Sequence, residues 1–64
     1  MSVETSAFKE GENVRYVPYH AHGDIRHKDC ENGIVTSVND YYVFVDFGTS
    51  LHSQACKTDQ LVKT

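Results

Sequence analysis

Several residue types are scarce in this 64-residue chain, which has no tryptophan, one proline, two cysteines and four glycines. Long apolar runs are also missing, so no segment approaches the roughly 18 consecutive apolar residues of a membrane-spanning helix. The first residues lack the basic and then apolar pattern of a secretory signal. These absences lead us to expect a soluble, cytoplasmic protein.

Positive charge is scarce as well. Six basic residues stand against nine acidic ones, for a net charge of −3 with histidine neutral. The basic residues are scattered along the chain: Lys9, Arg15, Arg26, Lys28, Lys57 and Lys63. This spacing predicts no cationic face, which disfavours tight binding to a phosphate backbone.

The short length limits stability. A chain of this size buries only about 60% of the surface that it exposes when unfolded, and its core rarely supplies more than about 3–5 kcal/mol. A metal, a disulfide or a partner subunit would therefore add usefully to stability. In a reducing compartment Cys30 and Cys56 are expected to be free thiols or metal ligands, whereas a secreted chain would join them in a disulfide.

What the chain has in place of long apolar runs is a series of short β-branched and aromatic segments separated by turn residues. They predict strands at residues 13–19, 34–38, 41–47, 51–57 and 61–62, with the last strand closing on the first. Asn39 and Asp40 predict a tight hairpin turn, and one helical turn is expected near residues 58–61. Residues 1–7 are expected to form a flexible tail, and residues 8–64 a single domain.

The two-residue period of a strand predicts which side chains point inward. A bulge near Ser37 could also bring Val38 inward. The predicted core consists of Val14, Tyr16, Val35, Val43, Val45, Phe47 and Leu61.

The run from residue 10 to 17, followed by Gly33-Ile34-Val35 and Val43-Phe44-Val45, resembles the opening strands of Tudor, KOW and related barrels. The resemblance implies an all-β fold, a small five-stranded SH3-like antiparallel barrel with a long first loop. It leaves function open, because that fold serves many activities. Residues 14–30, 32–39 and 53–56 are also similar to short uncharacterised phage and prophage proteins, which implies a setting and no known activity.

The polar stretch at residues 19–32 is the predicted long loop, and it carries candidate metal ligands. His20 and His22 would project to one side of an extended segment, and His27 and Cys30 follow at a three-residue spacing. Cys56 could approach from the fourth strand. These residue types suit zinc, but no paired CxxC is present. We therefore expect no metal or other cofactor, with solvated histidines and cysteines packed as small apolar residues.

The same residues allow a catalytic interpretation. His27 precedes Cys30 by three residues and His52 precedes Cys56 by four, as a base and a thiol nucleophile could. The acidic residues of the loop are expected to be solvated: Asp24, Asp29 and Glu31. A barrel of this size leaves little interior for a substrate pocket once its core is filled, so the chain is not expected to be an enzyme.

An exposed apolar band is predicted on the outside of the sheet, formed by Val17, Ile34, Tyr42 and Phe44. Such patches mark partner surfaces, although a wrapped sheet and the N-terminal tail could instead cover this one. Further candidate partner-binding residues lie at the start of the long loop: Tyr19, His20 and His22. The expected partner is another protein or a second copy of the chain.

Two other binding modes are open. Tyr19, Tyr41 and Phe44 could wall a cage for a methylated cation, with Asp40 or Asp46 as charge partner. Stacking tyrosines could also hold a single-stranded nucleic acid, aided by three basic residues: Arg15, Arg26 and Lys28. The sequence thus predicts a small non-enzymatic protein-interaction or regulatory module, and the alternative is a nucleic-acid-associated barrel of the KOW type.

Overall fold

The computed structural model describes residues 4–48 and 52–64, and within them the chain is all-β. Five strands form one antiparallel sheet: β1 Asn13–Tyr16, β2 Glu31–Val38, β3 Val43–Asp46, β4 Gln54–Cys56 and β5 Leu61–Lys63. Their order across the sheet is β4-β3-β2-β1-β5, so the predicted return of the last strand to the first is confirmed. Three 3-10 turns lie at Thr5–Ala7, Tyr19–Ala21 and Thr58–Gln60.

The first strand is shorter than predicted and the second is longer. β1 ends at Tyr16 because Pro18 has no amide hydrogen for a strand ladder and the chain then enters the turn Tyr19–Ala21. β2 already begins at Glu31, which lies opposite Tyr16. The long loop is therefore residues 17–30.

The predicted hairpin between the second and third strands is confirmed, but it uses four residues. The Asn39 side-chain oxygen accepts hydrogen bonds from the amides of Tyr41 and Tyr42, at 2.8 and 2.7 Å. These bonds hold both tyrosines in the turn, so β3 begins at Val43 instead of residue 41. The predicted start of the fourth strand at residue 51 lies outside the described residues.

The predicted core is present on one face of the sheet. Val14, Val35, Val43 and Val45 are at most 1% exposed. Leu61 is also buried, and Tyr16 and Phe47 pack against the cluster with their ring centroids 6.1 Å apart. The prediction omitted two members, Phe8 and Cys56.

A second, smaller cluster lies beneath the long loop and consists of Val17, Ala21 and Cys30. The expected place of Val17 in an exposed band is therefore wrong, since its side chain is 8% exposed. Val17 is not a member of the main core, and its side chain is buried because Ala21 and Cys30 of the long loop pack against it. The Val17 amide donates a 2.7 Å hydrogen bond to the Gln60 carbonyl, which ties the start of the loop to the turn before β5.

The irregularity near Ser37 that the sequence left open is present, since the pairing of β2 with β3 shifts register between Val35 and Ser37. The intervening Thr36 donates a hydrogen bond from its hydroxyl to the Phe44 carbonyl at 3.2 Å. After the bulge Val38 lies opposite the buried Val43, as expected of an inward position, but it remains 39% exposed at the strand end.

The N-terminal segment contacts the body of the domain. Thr5–Ala7 forms a 3-10 turn within the segment predicted to be a tail, and Phe8 is buried. The Lys63 ammonium donates a hydrogen bond to the Ala7 carbonyl and lies 3.3 Å from a carboxylate oxygen of Glu12. It also lies 5.3 Å from the centre of the Phe8 ring, within range of a cation–π interaction.

Candidate functional site

A cleft of about 720 Å³ opens where three separate parts of the chain meet. Its walls are residues 4–6 of the N-terminal turn, residues 40–42 of the β2–β3 hairpin and residues 57–59 before β5. The volume falls within the range of about 300–1,000 Å³ that is common for ligand sites. This cleft is the first candidate site.

The hairpin wall presents two tyrosines. Tyr41 is 78% exposed and Tyr42 is 39% exposed. Their backbone is held by the two hydrogen bonds to the Asn39 side chain and by a 3.0 Å bond from the Asn39 amide to the Tyr42 carbonyl. The cleft therefore offers apolar ring surface on a backbone that is fixed by local hydrogen bonds.

The opposite wall is held by the 3-10 turn Thr58–Gln60. The Lys57 amide donates a hydrogen bond to the Gln60 side-chain oxygen at 3.3 Å, and the Val17 amide donates one to the Gln60 carbonyl at 2.7 Å. The Tyr19 hydroxyl donates to a carboxylate oxygen of Asp59 at 2.7 Å. This last bond raises the pKa of Tyr19, because ionised Tyr19 would lose its donor and face the Asp59 charge.

The electrostatics of the cleft favour a cation. Among the described residues that line it, Glu4, Asp40 and Asp59 carry carboxylates and Lys57 carries an ammonium group. Aromatic faces attract cations through their quadrupole, so the two tyrosines and the excess of carboxylates act in the same direction. The chemistry suits a basic side chain bound beside a tyrosine ring.

A second candidate site lies in the long loop and joins His20, His27 and Asp29, whose potential ligand atoms lie within 4.8 Å of one another. His20 Nε2 and Asp29 Oδ2 are 2.6 Å apart, and His27 Nδ1 is 3.9 Å from the same oxygen. The two imidazole rings meet edge to face with centroids 5.2 Å apart. The hydrogen bond from His20 lowers the pKa of the Asp29 carboxyl below its ordinary value.

The structure brings together only part of the predicted metal set. His22 is in the left-handed conformation with φ 51° and is exposed. The Cys30 thiol is buried and donates to the Asp24 carbonyl at 3.3 Å, while Cys56 belongs to the main core. Both cysteines thus pack as small apolar residues, as expected, and burial raises the pKa of the Cys56 thiol.

The predicted apolar band is only partly present. Ile34 is 49% exposed and Tyr42 39%, whereas Phe44 is half-buried and Val17 is buried. Phe44 and Tyr41 do not share a wall, because Tyr41 lines the cleft and Phe44 lies in β3 opposite Ser37. The cage predicted from Tyr19, Tyr41 and Phe44 is therefore not assembled.

Of the three basic residues predicted to aid nucleic-acid binding, Arg15 makes intramolecular hydrogen bonds. Arg15 donates from Nε to the Ile25 carbonyl at 2.6 Å and from its guanidinium to the Asn32 side-chain oxygen at 2.8 Å. These bonds hold the guanidinium of Arg15 across the loop. Arg26 and Lys28 are exposed on the same loop.

Sequence reasoning missed two residues that complete the candidate sites. Asp59 lies in the predicted helical turn, to which the sequence assigns no role, and Asp29 is expected only to be solvated. The proximity of His20 and His27 to Asp29 within a short loop was a usable signal for the second site. No local signal could have paired Asp59 with Tyr19, because the two residues are 40 positions apart.

Comparison of the chain with protein-family models, with curated proteins and with solved structures finds no match. The helical segments of residues 4–48 and 52–64 are single 3-10 turns, and none has the length and apolar character needed to cross a membrane.

Proposed function

We propose that the chain is an SH3-like small barrel that acts as a non-enzymatic protein-interaction module. Three features support the fold: the strand order with β5 beside β1, the bulged and long β2, and the 3-10 turn immediately before β5. The resemblance of residues 10–17 to Tudor and KOW barrels agrees with this arrangement. The similarity to short phage and prophage proteins adds a proposed phage or prophage origin, but it does not indicate an activity.

The observation that carries the functional proposal is the tyrosine-lined acidic cleft. Tyrosine is enriched in protein interfaces because a rigid amphipathic ring supplies contact area at a small entropic cost. Here two exposed tyrosines face carboxylates from other parts of the chain. We propose that the cleft binds a short partner segment carrying a lysine or arginine side chain.

The proposal shifts the interaction surface away from the band predicted from the sequence. Tyr42 is common to both surfaces, while Ile34 lies on the opposite side of β2 from the buried Val35 and outside the cleft lining. Ile34 therefore provides a matched control position. Sedimentation of Ile34→Lys beside the parent protein would test self-association through the outer face separately.

Selection from a displayed library of random peptides tests the proposed function. Selected peptides should be rich in lysine and arginine and should shift the amide resonances of residues 40–42 and 57–59. Tyr42→Ala should weaken their binding about tenfold or more, as expected for an interface anchor, and Asp40→Asn should weaken it less. Ile34→Lys should bind as the parent does.

Equal binding by Tyr42→Ala and the parent would contradict the cleft as the interaction surface. A separate experiment tests the nucleic-acid alternative. Binding of a single-stranded oligonucleotide by the parent protein, together with loss of that binding in Arg26→Gln and Lys28→Gln, would favour this alternative. The net charge of −3 and the intramolecular bonds of Arg15 argue against that outcome.

A further inference from the structure

We propose that His20, His27 and Asp29 form a binding site for a divalent transition-metal ion such as Zn²⁺. Imidazole nitrogen and carboxylate oxygen are ligands that zinc accepts at about 2.0–2.2 Å. The three side chains come from one loop, and their potential ligand atoms all lie within 4.8 Å of one another. Water would complete the coordination.

The spacing of these atoms is close to that of a metal site. Ligand atoms around a tetrahedral zinc ion lie about 3.4 Å apart, given the bond lengths above. His20 Nε2 and Asp29 Oδ2 are slightly closer, at 2.6 Å, and His27 Nδ1 is slightly farther, at 3.9 Å from that oxygen. Shifts on the scale of side-chain rotation would bring all three to one ion.

The loop backbone that carries the ligands is held on both sides. Consecutive tight turns are closed by hydrogen bonds from the Asp24 amide to the Ala21 carbonyl, from His27 to Asp24 and from Cys30 to His27, at 3.0–3.1 Å. Ala21 and Cys30 at the ends of this series are buried with Val17. A ligand loop anchored in this way loses less conformational entropy on binding.

Each ligand has a partner that metal binding must replace. The ion would replace the hydrogen bond between His20 Nε2 and Asp29 Oδ2. His27 Nδ1 accepts a hydrogen bond from the Asp29 amide at 3.0 Å. To bind the ion, the His27 ring must either give up this hydrogen bond or rotate so that Nε2 faces the ion. These exchanges predict binding that is weaker than at a closed structural zinc site.

The structure also explains why the site differs from the set read from the sequence. Residue 30 follows residue 29, but the Cys30 side chain turns inward to the apolar cluster while Asp29 turns outward to His20. His22 does not belong to the cluster. A carboxylate thus takes the ligand position that spacing alone assigned to a thiolate.

Isothermal titration of Zn²⁺ into the chelator-treated full chain tests the proposal. We expect one ion per chain, with His20→Ala, His27→Ala and Asp29→Asn each lowering the affinity by about tenfold or more. His22→Asn is the matched control, since it removes a histidine of the same loop and asparagine tolerates the left-handed conformation. It should bind as the parent does.

Two further measurements show whether each variant is folded and which ligand atoms bind the metal. Amide dispersion in the NMR spectrum verifies that each variant is folded, and Co²⁺ substitution reports the ligand type. A cobalt spectrum without thiolate charge-transfer absorption is expected. The proposal is overturned if the folded parent binds no Zn²⁺, if His22→Asn loses as much affinity as His20→Ala, or if the cobalt spectrum shows thiolate ligation.

Discussion

The hydroxyl of Tyr19 donates a 2.7 Å hydrogen bond to Asp59, and this bond joins the loop after β1 to the 3-10 turn before β5. Both residues flank strands that pair with each other, so the bond braces the end of the sheet next to the tyrosine-lined cleft. It also ties one of the cleft carboxylates to a fixed position. The contact therefore helps to position Asp59 in the candidate site.

The Tyr19–Asp59 bond predicts a specific alkaline titration. The bond raises the pKa of Tyr19 above its ordinary value of 10.0, so its contribution to stability is present below pH 10 and is lost as pH rises through the pKa of the folded state. Ultraviolet titration of phenolate absorbance should include a late step that belongs to Tyr19. That late step should disappear in Tyr19→Phe and persist in Tyr41→Phe. A late step that persists in Tyr19→Phe would contradict the bond.

The register of β3 predicts that Val45→Asp unfolds the domain. Val45 is 0% exposed in the core, and an unpaired carboxylate there costs several kcal/mol, against an expected total stability of about 3–5 kcal/mol. The variant should lose amide dispersion in its NMR spectrum. Ile34→Asp, at a 49% exposed position, should keep it. A well-dispersed spectrum of Val45→Asp would refute the register.

Gly33 predicts a steric effect within β2. A methyl group at this position would collide with a side-chain carbon of Val45 and lie 2.8 Å from one of Phe47. Gly33→Ala should therefore destabilise by about 1–3 kcal/mol in urea unfolding, because overpacking outweighs the gain from a stiffer unfolded chain. The added methyl should cost less in a Val45→Ala background, where part of the obstruction is gone. Equal costs in both backgrounds would argue against the collision.

Glu12 predicts an acid-dependent loss of stability. A hydrogen bond from the Lys9 amide, with support from Lys63, lowers the pKa of Glu12 from its ordinary 4.5. Its contribution is therefore present above that value and is lost as pH falls through the lower pKa of the folded state.

Thermal unfolding of Glu12→Gln checks this linkage. The variant should be less stable than the parent near pH 7, and the difference should shrink well below pH 4.5. Glu10→Gln is the control for net charge, since Glu10 is exposed beside the same turn. A difference for Glu12→Gln that stays constant with pH would contradict the assignment.

Local pattern was sufficient for the four most buried core residues, but it did not predict Phe8 and Cys56. Val14, Val35, Val43 and Val45 were predicted inward from the period of two, because successive side chains of a strand point to opposite faces. The pattern predicted an exposed Val17, but a period of two does not show that Ala21 and Cys30 of the long loop pack against this side chain. The 3-10 turn before β5 was also predicted within one residue of its observed bounds.

The sequence by itself determined the approximate positions of the strands and the inward side of most core residues, since these follow from local alternation and turn residues. Only the tertiary structure decided the sites. Tyr41, Tyr42 and Asp59 share a cleft because three separated segments pack together, and Asp29 meets His20 because burial of Cys30 turns its neighbour outward. Such contacts depend on long-range pairing and packing, which no local period encodes.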